Sequence, residues 1–102
     1  MVSHMTNHDS FLLSFEGIEG SGKSTQIQML TKKLEASNYT VKYFREPGGT
    51  SFGEKLRSTI LESTTPINPL AEANLFAASR AQLLSEKVLP LLGKKNHIVI
   101  LD

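Results

Sequence analysis

Between an apolar run and an amphipathic one, the chain reads Gly17-Ile18-Glu19-Gly20-Ser21-Gly22-Lys23-Ser24, which has the spacing G-x-x-x-x-G-K-[ST] of a phosphate-binding loop. Such a loop works in one setting only. A strand must deliver it and a helix must leave it, because the phosphates are held by inward-turned backbone N–H groups and by the partial positive charge of the helix N-terminus. The flanks meet that demand. Ser10-Phe11-Leu12-Leu13-Ser14-Phe15-Glu16 is a short apolar run that halts at glycine, as a strand buried on both faces does. Beyond the loop, Ile27, Leu30 and Leu34 recur at helical spacing with Lys32, Lys33 and Glu35 opposite them, and Ser37-Asn38 supplies a stop. Lys23 is expected to reach the β and γ oxygens of a nucleoside triphosphate. The Ser24 hydroxyl is expected to ligate Mg²⁺, and Thr25 to donate near the α-phosphate.

The remaining chain extends the pattern. Thr40-Val41-Lys42-Tyr43-Phe44-Arg45 is rich in β-formers and stops at Pro47-Gly48-Gly49, which predicts a second strand parallel to the first in a βαβ unit. Phe52, Leu56 and Ile60 mark one face of a second helix, and a polar loop through Thr64-Thr65-Pro66 follows. Asn68-Pro69 reads as an N-cap with proline at the first helical position, and the third helix should run to about Leu89, where Pro90 and Gly93 close it. His97-Ile98-Val99-Ile100-Leu101-Asp102 is an apolar strand ending in a carboxylate. The order β-α-β-α-α-β predicts an open parallel α/β sheet flanked by helices, with its ligand crevice at the carboxyl ends of the strands. Three such strands leave a bare sheet edge, so we expect a chain truncated after its third strand, with residues 10–102 forming the N-terminal half of a phosphate-loop domain. Met1-Val2-Ser3-His4-Met5 contains two candidate starts, so residues 1–9 are expected to be a disordered tail or tag remnant.

Composition removes other classes. The 102 residues suffice for one domain at most. Eleven Lys and Arg against ten Asp and Glu leave a net charge of +1, which provides no broad field for a nucleic-acid polymer or an anionic membrane. With no cysteine there is no disulfide, thiolate metal site or cysteine nucleophile, which fits a reducing, cytoplasmic setting. No unbroken apolar run exceeds four residues, so no transmembrane helix is expected.

Further positions carry chemistry. Asp102 ends its strand as the carboxylate that, next to a phosphate loop, positions Mg²⁺ or its water. Arg45-Glu46-Pro47-Gly48-Gly49-Thr50 falls at the carboxyl end of the second strand; it is either a ligand loop or a polar turn. Phe76 and Arg80 are four apart on one helix face, where a base could stack on the ring and accept from the guanidinium, although such pairs are more often core and surface. Glu19 should face away from the phosphates, towards a second ligand. His4, His8 and His97 have no second metal-type ligand at a recognisable spacing.

Taken together, Phe15 to Thr25, Arg45 to Thr50, Lys55-Leu56-Arg57 and Glu72 to Arg80 resemble the N-terminal half of the thymidylate kinases. The resemblance implies phosphorylation of dTMP by ATP with Mg²⁺, giving dTDP, in a cytoplasmic homodimer. It assigns Glu19 to the sugar 3′-hydroxyl, Glu46 and Pro47 to the monophosphate pocket and Arg57 to the acceptor phosphate. It also stacks Phe76 on thymine, gives Arg80 a base carbonyl, and makes Asp102 the first residue of an Asp-Arg-Tyr/Phe motif. The catalytic set it implies is Lys23, Glu19, Arg57 and Asp102. Gly20, where one branch of the family has a basic residue, resembles the branch whose arginine comes from a mobile lid. That lid and the motif arginine are not among these residues, so the chain alone is expected to be inactive. Two rival readings are another phosphate-loop kinase with a different acceptor, and a nucleotide-dependent switch module, for which the guanine-reading Asn-Lys-x-Asp motif is absent here.

Overall fold

The computed structural model describes the chain except Met1, His8, Asp9, Ile18 and Glu19, with backbone alone for Val2–Asn7. It forms two compact units, residues 1–44 with 91–102, and residues 45–90.

The first unit is built on a four-stranded sheet of order β1-β2-β4-β3, where β1 is Val2–Asn7, β2 Ser10–Phe15, β3 Thr40–Phe44 and β4 His97–Leu101. β2, β4 and β3 run parallel, as the βαβ spacing requires, with β4 inserted between the two strands that are adjacent in sequence. Helix α1, Lys23–Ala36, supplies the crossover. Side-chain alternation places Phe11, Leu13 and Phe15, Ile98 and Ile100, and Val41 on one face of the sheet, where they pack with Ile27, Leu30 and Leu34 of α1. Asn38 ends the helix at φ 70°. The Tyr39 N–H returns to Leu34 O and the Asn38 N–H to Glu35 O, which satisfies the last carbonyls.

The expectation of a disordered tail over residues 1–9 is corrected for Val2–Asn7. These residues form β1, antiparallel to β2 from Val2↔Phe15 to Asn7↔Ser10. The physical reason lies in β2, which would otherwise present an unpaired ladder of N–H and C=O groups along its outer side; β1 pairs them. His8 and Asp9 lie outside the described residues.

In the second unit, α2 spans Ser51–Leu61 and packs against α3, Pro69–Leu83. Thr50 Oγ1 accepts from the Gly53 N–H and caps α2, while Asn68 Oδ1 accepts from the Leu70 and Ala71 N–H groups and caps α3. The third helix departs from its expected end at Pro90. A π-helical turn, Leu84–Val88, follows α3, and a short helix α4, Leu89–Leu92, carries the chain past the proline. In the wider turn the Leu89 N–H reaches Leu84 O, five residues back, so Pro90 enters at the start of a new segment where its missing N–H is tolerated. Among the described residues, no helix is long and apolar enough to cross a membrane.

Candidate functional site

In the first unit, the phosphate-type loop leaves β2 and turns into α1 through Gly22, which caps the helix at φ 86°. Gly20, at φ 81°, is also left-handed, a conformation that costs a residue with a Cβ. The Gln26 N–H returns to Gly22 O at 3.0 Å, closing the first helical turn. Lys23 folds back over the loop. Its Nζ donates to Gly17 O at 3.4 Å and lies 2.5 Å from Asp102 Oδ1. That second contact is an ion pair, and the Lys23 ammonium is what faces the buried Oδ1. Oδ2 accepts from the Tyr43 hydroxyl at 2.5 Å. Burial alone would raise the Asp102 pKa, but the Lys23 ammonium and the Tyr43 hydroxyl outweigh it and hold the carboxyl below its ordinary value. The Asp102 N–H donates to Phe44 O at 3.0 Å, tying the end of β4 to the end of β3. Ser24, Tyr43 and Asp102 line one cavity of about 600 Å³ along α1.

In the second unit, residues 45–50 are held from several sides. Glu46 accepts both arms of a fork from Arg80, Nε to Oε1 and Nη2 to Oε2, each at 2.7 Å. The Glu46 side chain is 11% exposed and that of Arg80 is 57% exposed, so a largely buried carboxylate fixes a guanidinium that still reaches solvent. Arg57 Nη1 donates to Pro47 O at 3.2 Å. The Gly48 N–H donates to the buried Ser79 Oγ at 2.9 Å, and Arg45 Nη2 meets Glu54 Oε2 at 3.1 Å. The Arg45 hydrogen bond, the largest influence, lowers the Glu54 pKa against the opposing effect of burial, helped by the Gly49 N–H. Phe76, one turn before Arg80 on α3, is 40% exposed.

The thymidylate kinase family model matches residues 15–102. The chain is 48% identical over 90 residues to thymidylate kinase of Thermoanaerobacter sp. strain X514, covering 88% of this chain and 44% of that protein. It is 46% identical over 88 residues to the enzyme of Caldanaerobacter subterraneus subsp. tengcongensis, covering 86% and 42%. A crystal structure of thymidylate kinase from Ehrlichia chaffeensis superposes with a TM-score of 0.75 at 32% identity, covering 89% of this chain and 51% of that one. The chain belongs to the thymidylate kinase family. It spans less than half the length of the two curated relatives.

Within that family framework, the structure joins Lys23 to Asp102 in the first unit, and Glu46, Pro47, Arg57 and Arg80 in the second. Glu46, in the 45–50 segment, faces the Arg80 guanidinium of α3. Ile18 and Glu19 lie outside the described residues. Among the described residues, no three His, Cys, Asp or Glu side chains gather around a common point. Three participants escaped the sequence reading: Tyr43, Ser79 and Gly53. In the sequence Tyr43 is only one of the β-formers of Thr40–Arg45. Its partnership with Asp102 follows from β3 lying beside β4, with Tyr43 opposite Ile100, a pairing that no local pattern encodes. Ser79 and Gly53 matter because a Cβ on Gly53 would lie 2.7 Å from both Gly48 O and Ser79 Oγ.

Proposed function

We propose that the chain supplies donor and acceptor recognition for transfer of the ATP γ-phosphoryl group to a 5′-phosphate oxygen of dTMP, giving ADP and dTDP. The observation that carries this reading is the Lys23–Asp102 pair beside a glycine-capped helix start, within a chain of the thymidylate kinase family. Backbone N–H groups from Gly17 to Thr25 wrap the triphosphate, and Lys23 exchanges its carboxylate partner for the β and γ oxygens. Transfer of this kind passes through a loose transition state, so the residues act by positioning and charge neutralisation rather than by proton abstraction.

Ser24 and Asp102 bring hard oxygen donors to one cavity, and Asp102 Oδ1 is a buried carboxylate oxygen beside the Lys23 ammonium. This donor set fits Mg²⁺, which takes one or two protein oxygens and completes its shell with water and phosphate. When bound, the ion neutralises charge on the transferring group. On the acceptor side, Phe76 stacks on thymine, Arg80 donates to a base carbonyl, Arg57 binds the acceptor phosphate, Glu46 and Pro47 shape the monophosphate pocket and Glu19 meets the sugar hydroxyl. A cytoplasmic homodimer is the setting we propose from family likeness.

The test is ADP release from ATP, Mg²⁺ and dTMP by the protein carrying this chain, with Lys23→Ala as control and dCMP, dAMP and thymidine as competing acceptors. Turnover that prefers dTMP and is lost in Lys23→Ala supports the proposal. Preference for another acceptor, or turnover that survives the substitution, contradicts it.

A further inference from the structure

We propose that Tyr43 is a positioning residue for Asp102, fixing one carboxylate oxygen so that the other keeps its place beside Lys23, on the cavity that Ser24 also lines. The inference rests on the reading of the loop as a Mg²⁺–nucleotide site.

Asp102 has two oxygens with different surroundings. Oδ2 receives the Tyr43 hydroxyl at 2.5 Å, a charge-assisted distance, while Oδ1 is buried at 2.5 Å from Lys23 Nζ. A polyphosphate in the loop competes for the Lys23 ammonium. As Lys23 turns to the phosphates, Oδ1 gives up its cation, and a carboxylate just past the end of β4 is then free to rotate unless something holds the other oxygen. The Tyr43 hydroxyl does so from the neighbouring strand. With Oδ2 pinned, Oδ1 keeps its place in a residue that lines the same cavity as Ser24.

A purely structural purpose explains the contact less well. The ends of β3 and β4 are already joined, by the ladder from Thr40↔His97 to Phe44↔Leu101 and by the Asp102 N–H to Phe44 O. Nor is the ring a core residue: Tyr43 is 48% exposed, outside the cluster of Phe15, Ile27, Ile98 and Ile100. A phenylalanine would pack there equally well, so the hydroxyl is the part that acts on Asp102. Partners that orient a metal-site carboxylate influence metal affinity without touching the metal.

The experiment measures ATP affinity with and without Mg²⁺ for the parent chain, Tyr43→Phe and Asp102→Asn. The inference predicts that Tyr43→Phe leaves metal-free ATP affinity within about twofold but cuts the Mg²⁺-dependent gain about tenfold. A full gain in Tyr43→Phe overturns it. A gain that persists in Asp102→Asn, or no ATP binding by the parent chain, instead overturns the site reading beneath it. A second readout leaves Tyr43 in place. The chain has two tyrosines and no tryptophan, so Tyr39→Phe makes Tyr43 the only strong emitter. Its emission should be quenched by the Asp102 carboxylate and recover in Tyr39→Phe with Asp102→Asn; equal emission in both overturns the proposed bond.

Discussion

Gly53→Ala sets two physical effects against each other. Gly53 lies in the first turn of α2, and helix propensity alone favours alanine by up to about 1 kcal/mol. The structure predicts the opposite sign. The added Cβ would sit 2.7 Å from Gly48 O and from Ser79 Oγ, and 3.0 Å from Gly48 C, so two of the three obstacles are backbone atoms. Relief requires the loop carrying Gly48 to move, which costs about 1–3 kcal/mol as overpacking. The same movement strains the buried bond from the Gly48 N–H to Ser79 Oγ, with a further cost of about 1–3 kcal/mol. After the propensity gain, the net loss is about 3 kcal/mol. With an m-value of about 1.5 kcal/mol/M, the urea midpoint followed by circular dichroism falls by about 2 M. An unchanged or higher midpoint would refute the close-packing argument. Because Gly48 follows Glu46 and Pro47 in the chain, dTMP binding should weaken as well, while ATP binding by the other unit persists.

Other expectations follow from the same geometry. Glu46→Gln removes the charge that fixes Arg80, so thymidine and dTMP affinities should fall together, about tenfold, with the dTMP-to-thymidine ratio unchanged in calorimetric titrations; a loss confined to dTMP would instead place Glu46 at the phosphate. Thr50→Ala removes the α2 cap and should destabilise by about 1 kcal/mol in urea unfolding, with Thr50→Ser recovering most of the loss. The Glu54 pKa is lowered in the fold, so its contribution is fully present above the unfolded carboxylate value of about 4 and is lost as pH falls through the folded value. Glu54→Gln should therefore flatten part of the acid limb of a stability–pH curve and leave the neutral-pH limb parallel to the parent's.

The parallel sheet was legible because its signals are local. An apolar run halted by the Gly17–Ser24 spacing, Ile27, Leu30 and Leu34 at helical period, and an apolar strand ending at Asp102 each state their element in a few consecutive residues. What escaped depended on contacts distant in sequence. The pairing of Tyr43 with Asp102 spans 59 positions and exists because β4 inserts beside β3. Glu46 and Arg80 each carry a local signal, but they are 34 apart, and spacing along α3 says nothing about what faces it. The π-helical turn at Leu84–Val88 was equally invisible: Pro90 reads as a helix end unless the preceding turn widens. Val2–Asn7 looked like a tail because the need they meet belongs to β2's open side, not to their own composition.

The central claim is that one chain holds a donor site built on Lys23 and a separate acceptor site built on Arg80. Calorimetric titration with MgATP and, independently, with dTMP tests it most directly, using Lys23→Ala and Arg80→Gln. The account predicts that Lys23→Ala abolishes MgATP binding and spares dTMP, while Arg80→Gln does the reverse. Loss of both ligands in either variant, or dTMP binding no tighter than dCMP binding in the parent, would contradict it.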